Sequence, residues 1–146
     1  MEEQLLNDYI QMYWGTFKYL DDLIAQPMKV YQVSFEQYLI MRDLSLGHQL
    51  EVSEIARQRD VSRAAISRQL KTLLNKGLVM QDRNSTDRRR LPLSLTEKGE
   101  EVTAELNQVI AKRFAMWAKR LGEKDARELL RIMARVRTEI IDTAKE

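Results

Sequence analysis

The chain has 146 residues, the size of one domain, with 24 Lys and Arg against 22 Asp and Glu, a formal net charge of +2. No cysteine and a single histidine, His48, exclude disulfides, thiolate redox sensing, Cys-ligated zinc and any Cys-His catalytic pair. Five Gly and two Pro leave little material for sheet-rich architectures and favour long helices, while an acidic N-terminus and the lack of an apolar run near the roughly 20 residues that span a bilayer predict a cytoplasmic location.

The first element is a helix. Leu6, Ile10, Tyr13, Trp14, Phe17, Leu20, Leu23 and Ile24 recur at three- and four-residue spacing until Pro27 stops the pattern. Gly15 within it should cost about 1 kcal/mol relative to alanine, and signals either close packing or tolerance. Ser34 followed by Gln37 reads as a capping box opening a short, mostly buried helix with Phe35, Tyr38, Leu39, Met41 and Leu44 on its apolar face and Gly47 as its stop.

Two helices joined by a tight turn come next, over 52–59 and 63–76, with Ser62 capping the second and Gly77 ending it. Ile55, Ala56, Val61, Ile66, Leu70 and Leu73 supply their shared core. Strand-like segments over 78–83 and 91–95 flank a polar, arginine-rich stretch and predict a hairpin with a basic tip. Pro92 cannot donate to a ladder, which places its strand at an edge or limits it to pairing on its other side. Thr96 then caps a long helix through Val102, Leu106, Val109, Ile110, Phe114, Trp117 and Leu121, ended by Gly122. A last helix carries Leu129, Met133, Val136 and Ile140 at nearly heptad spacing, over fewer than two repeats. The terminal helices are expected to pack together, and helices this apolar need a partner.

The near-neutral total conceals an asymmetry. Residues 57–90 hold ten Lys or Arg against three Asp or Glu, +7, which leaves −5 for the rest. Such a concentration is either a solvated face or the footprint of a polyanion. On the second helix of the pair, Arg63, Ala64, Ser67, Arg68 and Lys71 lie opposite Ile66, Leu70 and Leu73. A helix of this kind fits the major groove, and a basic loop beside it fits the narrower, electronegative minor groove. Small Ala64 and Ser67 permit close approach, Arg68 suits guanine or phosphate, and Lys71 suits phosphate as a compact charge.

Over residues 52–99 the chain resembles the MarR family of regulators. The resemblance rests on Val61-Ser62-Arg63-Ala64-Ala65-Ile66-Ser67-Arg68, on Leu74-Asn75-Lys76-Gly77-Leu78-Val79, and on Asp87-Arg88-Arg89 followed by Leu93-Ser94-Leu95-Thr96-Glu97-Lys98-Gly99. It implies a mainly α fold with a small β-hairpin wing: a winged helix-turn-helix region at 34–99 and dimerisation helices at 1–33 and 100–146. By motif position Arg89 is the wing arginine that enters the minor groove, Asp87 braces it through paired hydrogen bonds, and Arg88 and Arg90 are phosphate contacts. The expected function is a sequence-specific duplex-DNA-binding transcriptional regulator, a repressor, acting as a homodimer on an inverted-repeat operator and released by a small organic effector. The other reading keeps the winged helix but uses it for non-specific nucleic-acid binding or protein contacts.

The aromatic set Tyr9, Tyr13, Trp14, Phe17, Tyr31 and Tyr38 has two readings. The resemblance suggests a pocket for small aromatic or lipophilic acids, centred on Tyr13, Trp14, Phe17 and Tyr38; ordinary core or dimer interface is the plainer account. His48 is assigned no function, and no cofactor or metal is expected. The chain offers no glycine-rich phosphate loop and no catalytic set, so an enzyme is not expected.

Overall fold

A computed structural model of the protein describes residues 1–47, 50–82 and 92–145. It divides into two compact units, Met1–Gln108 and Val109–Glu146.

The first unit begins with a continuous helical run: α1 (Glu2–Met12), a π-helical stretch Tyr13–Phe17, and α2 (Lys18–Ala25). Within the single chain Gly15 meets nothing within 4 Å of where a Cβ would stand, so close packing inside the chain is not its reason. Pro27 does not end the helical path. It sits in the first turn of a 3-10 segment, Gln26–Tyr31, where its missing N–H leaves no helical bond unmade. That segment closes at Gln32 in the left-handed region, and Val33 N–H donates to the Met28 carbonyl at 3.2 Å.

Helix α3 (Phe35–Ser45) opens with the expected capping box: Gln37 N–H donates to Ser34 Oγ and Ser34 N–H to Gln37 Oε1, both at 3.1 Å. These two bonds satisfy donors that a bare helix terminus would leave unpaired. Tyr38, Ile40, Met41 and Leu44 are buried, but Phe35, expected on the apolar face, is exposed and Leu39 is half-buried. The buried stripe is therefore turned toward Ile40. Gly47 follows at φ +81°, the positive φ that suits a helix stop.

Helices α4 (Val52–Arg59) and α5 (Arg63–Asn75) are joined by three residues. Asp60 adopts φ 54° and ψ 47°, and Val61 N–H donates back to the Ala56 carbonyl at 3.1 Å, a left-handed helix end that reverses the chain in little space. This geometry also explains a departure from expectation: Val61 is turned outward, 46% exposed, instead of joining the core with Ile55, Ala56, Ile66, Leu70 and Leu73. Leu73 and Ile55 are fully buried, and burying one such side chain contributes about 2 kcal/mol.

Strands β1 (Val79–Gln81) and β2 (Leu93–Leu95) pair antiparallel with Val79 opposite Leu95. Both are shorter than the sequence pattern suggested. Pro92 stands just before β2 and takes part through its carbonyl, which accepts from Asp82 N–H at 2.9 Å. Leu93 then donates to the Leu50 carbonyl on the other side of β2 at 3.0 Å, an isolated antiparallel bridge beside the two-stranded sheet.

Thr96 opens α6 (Glu97–Leu121) as expected: its Oγ1 accepts from Gly99 N–H at 3.0 Å and donates to the Gly77 carbonyl at 2.6 Å. A Cβ on Gly99 would lie 1.9 Å from the Leu78 carbonyl oxygen, so only a glycine lets α6 pass that close to the chain entering β1. Val102, Thr103 and Leu106 complete the core of this unit.

The second unit holds the end of α6, a turn at Gly122 (φ +88°) and α7 (Glu123–Val136), which continues through π-helical Arg137–Asp142 into a short 3-10 turn, Thr143–Lys145. None of its described residues is buried. Leu129, Met133, Val136 and Ile140, the expected seam, are all exposed in the single chain.

A candidate nucleic-acid interface on helix α5

Helix α5 begins at Ser62, whose Oγ accepts from Ala65 N–H at 3.1 Å, so the helix is closed at its start by its own side chain. From there the 3.6-residue period sorts the residues. Ile66, Leu70 and Leu73 are buried, while Arg63, Ala64, Ser67, Arg68 and Lys71 are all exposed. Among the described residues none of the three cations on that face forms an ion pair. The structure thus brings the five sequence-selected positions onto one open face of a helix whose opposite face is anchored in the core.

The turn and the neighbouring helix fix where α5 lies. Arg59 at the end of α4 reaches α3, where its Nη2 donates to the Leu39 carbonyl at 3.0 Å and pairs with Asp43 at 2.5 Å. Its Nε is buried without a partner. Lys76 donates to the Gln32 carbonyl. Among the described residues of 57–90, the cations Arg59 and Lys76 are therefore occupied within the fold, which the charge count could not show.

A second tie was not foreseen. Gln37 donates from Nε2 to Gln69 Oε1 at 2.8 Å, and Gln69 donates in turn to Glu36 Oε2 at 3.1 Å. Phe35, Leu39, Val61 and Ala65 lie near this tie and line, with Gln69, an open groove of about 340 Å³ between α3 and α5. The apolar positions that missed the core, Phe35 and Val61, are the walls of this groove. The only sequence signal for the tie was Gln37 itself, already in use as a cap.

The wing residues Asp87, Arg88, Arg89 and Arg90, and His48, lie outside the described residues. The strands that flank the wing are in place as a two-stranded antiparallel pair.

The four aromatics expected to centre a pocket, Tyr13, Trp14, Phe17 and Tyr38, stand in different settings. Tyr13 stacks on Tyr9 at 6.2 Å and contacts Phe17 at 5.2 Å, and Lys18 lies 5.3 Å over Trp14, all on the exposed N-terminal run. Tyr38 is buried and donates to Asn107 Oδ1 at 2.6 Å, a bond from α3 to α6. Burial pushes its phenol above the ordinary tyrosine range, and the nearby Arg42 charge opposes that shift. Tyr31 donates to Glu105, and that bond raises its phenol as well.

A helix pair with a three-residue turn, a solvent-facing basic second helix and a following β-hairpin define a winged helix-turn-helix regulator. Comparison with known proteins gives the family: residues 22–106 match the model of the transcriptional regulator SarA/Rot family, and the chain belongs to it. The HTH-type transcriptional repressor MdtR of Bacillus subtilis is 28% identical over 128 residues, 88% of this chain and 81% of MdtR. Among solved structures, the MepR–DNA complex of S. aureus superposes with a TM-score of 0.77 at 17% identity, covering 90% of this chain and 97% of that one. Staphylococcus aureus MarR in complex with salicylate and kanamycin gives 0.71 at 22% identity, covering 97% and 93%. The fold is that of the MarR regulators, as the motifs over 52–99 implied, and the protein is a transcriptional regulator of that winged-helix type. No described helix is long and apolar enough to cross a membrane.

Proposed function

We propose that this regulator is a cytoplasmic homodimer that binds an inverted-repeat operator and represses by occluding a promoter. The observation that carries the reading is the open face of α5, where Arg63, Arg68 and Lys71 stand exposed beside Ala64 and Ser67. Arg68 reads a base edge, with guanine as its natural bidentate partner; Arg63 and Lys71 hold phosphates; Ala64 and Ser67 admit the backbone to the groove. In the wing, Arg89 enters the minor groove, Asp87 orients it, and Arg88 and Arg90 contact phosphate.

Dimerisation is assigned to 1–33 and 100–146, with 34–99 as the DNA-binding region. What supports it is the exposed apolar surface of the single chain: Leu129, Met133, Val136 and Ile140 on the last helix, and Leu6, Ile10, Tyr13 and Trp14 on the first run. Apolar stripes left exposed along a helix on this scale mark interaction sites. A two-fold dimer requires half-site centres about 10 bp apart. A small organic effector that prefers the dimer with mismatched helix spacing would release the operator, because only differential affinity shifts such an equilibrium. The complex of S. aureus MarR with salicylate and kanamycin supports a small-molecule ligand on this fold.

The test is selection from a random pool of duplexes at physiological salt, with sequencing of the bound fraction. Enrichment of an inverted repeat at the stated spacing is the expected result. A bound fraction without sequence preference would replace this reading with non-specific binding, since phosphate contacts alone are indifferent to sequence.

A further inference from the structure

Four groups form one directed chain of hydrogen bonds between α3 and α5. Ser34 N–H donates to Gln37 Oε1 at 3.1 Å, Gln37 Nε2 donates to Gln69 Oε1 at 2.8 Å, and Gln69 Nε2 donates to Glu36 Oε2 at 3.1 Å. The direction is forced at both ends. A backbone N–H can only donate, so the Gln37 oxygen must face Ser34 and its amide nitrogen must face Gln69. An ionised carboxylate can only accept, so Gln69 must turn its own nitrogen to Glu36. Neither amide can flip without opposing two acceptors. Gln37 is 8% exposed, so a broken link there leaves a nearly buried polar group unpaired.

Gln69 follows Arg68 directly on α5 and precedes Lys71 by two residues. The apolar contacts of Ile66, Leu70 and Leu73 hold α5 against the core, but such contacts are non-directional and tolerate small rotations about the helix axis. A hydrogen-bonded side chain does not. We propose that the Ser34–Gln37–Gln69–Glu36 chain sets the rotation of α5, making Gln37 and Gln69 positioning residues for base reading by Arg68. The proposal rests on the reading of α5 as the base-reading helix.

The polarity of the chain supplies the test. Gln37→Glu keeps the capping box, because glutamate serves at that position as well as glutamine. It removes the donor toward Gln69, which must then turn its nitrogen to residue 37 and set its oxygen against the Glu36 carboxylate. Adding Glu36→Gln restores a donor at the far end and completes the chain with its two links at Gln69 reversed, while Ser34 N–H still donates to residue 37. Gln69→Met keeps the side-chain length and abolishes both links.

Each variant is titrated in the full-length protein with its selected operator and with an unrelated duplex. Gln37→Glu and Gln69→Met should each lower the ratio of the two affinities roughly tenfold, the order of one good base contact. The double variant Glu36→Gln/Gln37→Glu should recover most of that loss, whereas Glu36→Gln should not rescue Gln69→Met. An unchanged ratio in Gln37→Glu and Gln69→Met, or a double variant no better than Gln37→Glu alone, overturns the proposal while leaving the regulator reading intact. A wild-type protein with no preference between the two duplexes overturns the base-reading assignment and the proposal with it.

Discussion

Helices α5 and α7 are built on the same principle and reach opposite ends. Both carry an apolar stripe at helical period beside a strongly charged face. In α5 the stripe, Ile66, Leu70 and Leu73, is buried within one chain and the basic face is left to solvent. In α7 the stripe, including Leu129, Met133 and Val136, is exposed, and no residue of the helix is buried. The charged face of α7 is partly neutralised within itself: Arg127 pairs with Glu123 at 2.8 Å and Arg131 with Glu128 at 2.5 Å, while among the described residues Arg63, Arg68 and Lys71 on α5 have no such partners. An amphipathic helix therefore declares its role through which face the single chain satisfies. With its apolar face satisfied, α5 offers charge; α7 neutralises charge locally and offers apolar surface.

The first unit, which anchors the apolar face of α5, breaks most severely at Gly99 in the first turn of α6. Gly99→Val would drive side-chain atoms into the Leu78 carbonyl, 1.9 Å from the Cβ position, and should cost about 4 kcal/mol or more, since the obstacle is backbone that cannot move aside. Denaturant unfolding should show the loss, and DNA binding should fail with it. A near-normal midpoint would mean that α6 does not need its close approach.

Truncations within the two stripes sharpen the contrast. Leu73→Ala, at a fully buried position, should destabilise by about 3 kcal/mol whatever the protein concentration. Met133→Ala, at a position half exposed in the single chain, should lower the melting temperature in a concentration-dependent way and shift the sedimentation equilibrium toward monomer. A concentration-independent effect at Met133 would remove α7 from the proposed dimer interface.

Smaller effects are expected on the face of α5. Arg68→Ala should lose about 2 kcal/mol of preference for the operator over unrelated duplex, while the fold is kept. An equal loss on every duplex would make Arg68 a phosphate contact. Ser62→Ala, which removes only the bond to Ala65 N–H, should cost about 1 kcal/mol in thermal stability. A larger loss would indicate that the hydroxyl serves more than the cap.

Much of this was legible along the chain because it depends on residues a few positions apart. The capping box at Ser34 and Gln37, the caps at Ser62 and Thr96, the stops at Gly47, Gly77 and Gly122, and the buried and exposed faces of α5 are all local consequences of period and capping chemistry. The motifs over 52–99 likewise carried the family, because a wing and a recognition helix are built from contiguous sequence. The rest depended on partners distant in the chain. Phe35 and Val61 are as apolar as the core residues, and the rotation of α3 and the left-handed turn at Asp60 put them on a groove instead. Arg59 and Lys76 count as free cations in the sequence, yet Asp43, Leu39 and Gln32 occupy them. Gly99 reads as a motif glycine until the Leu78 carbonyl shows why a side chain is excluded. Gln37 reads as a cap until Gln69 supplies its second partner. Local pattern determined which elements form and which face each one offers; tertiary structure alone decided which of those offers are taken up inside the chain, because hydrogen bonds and steric exclusion between distant segments leave no period in the sequence.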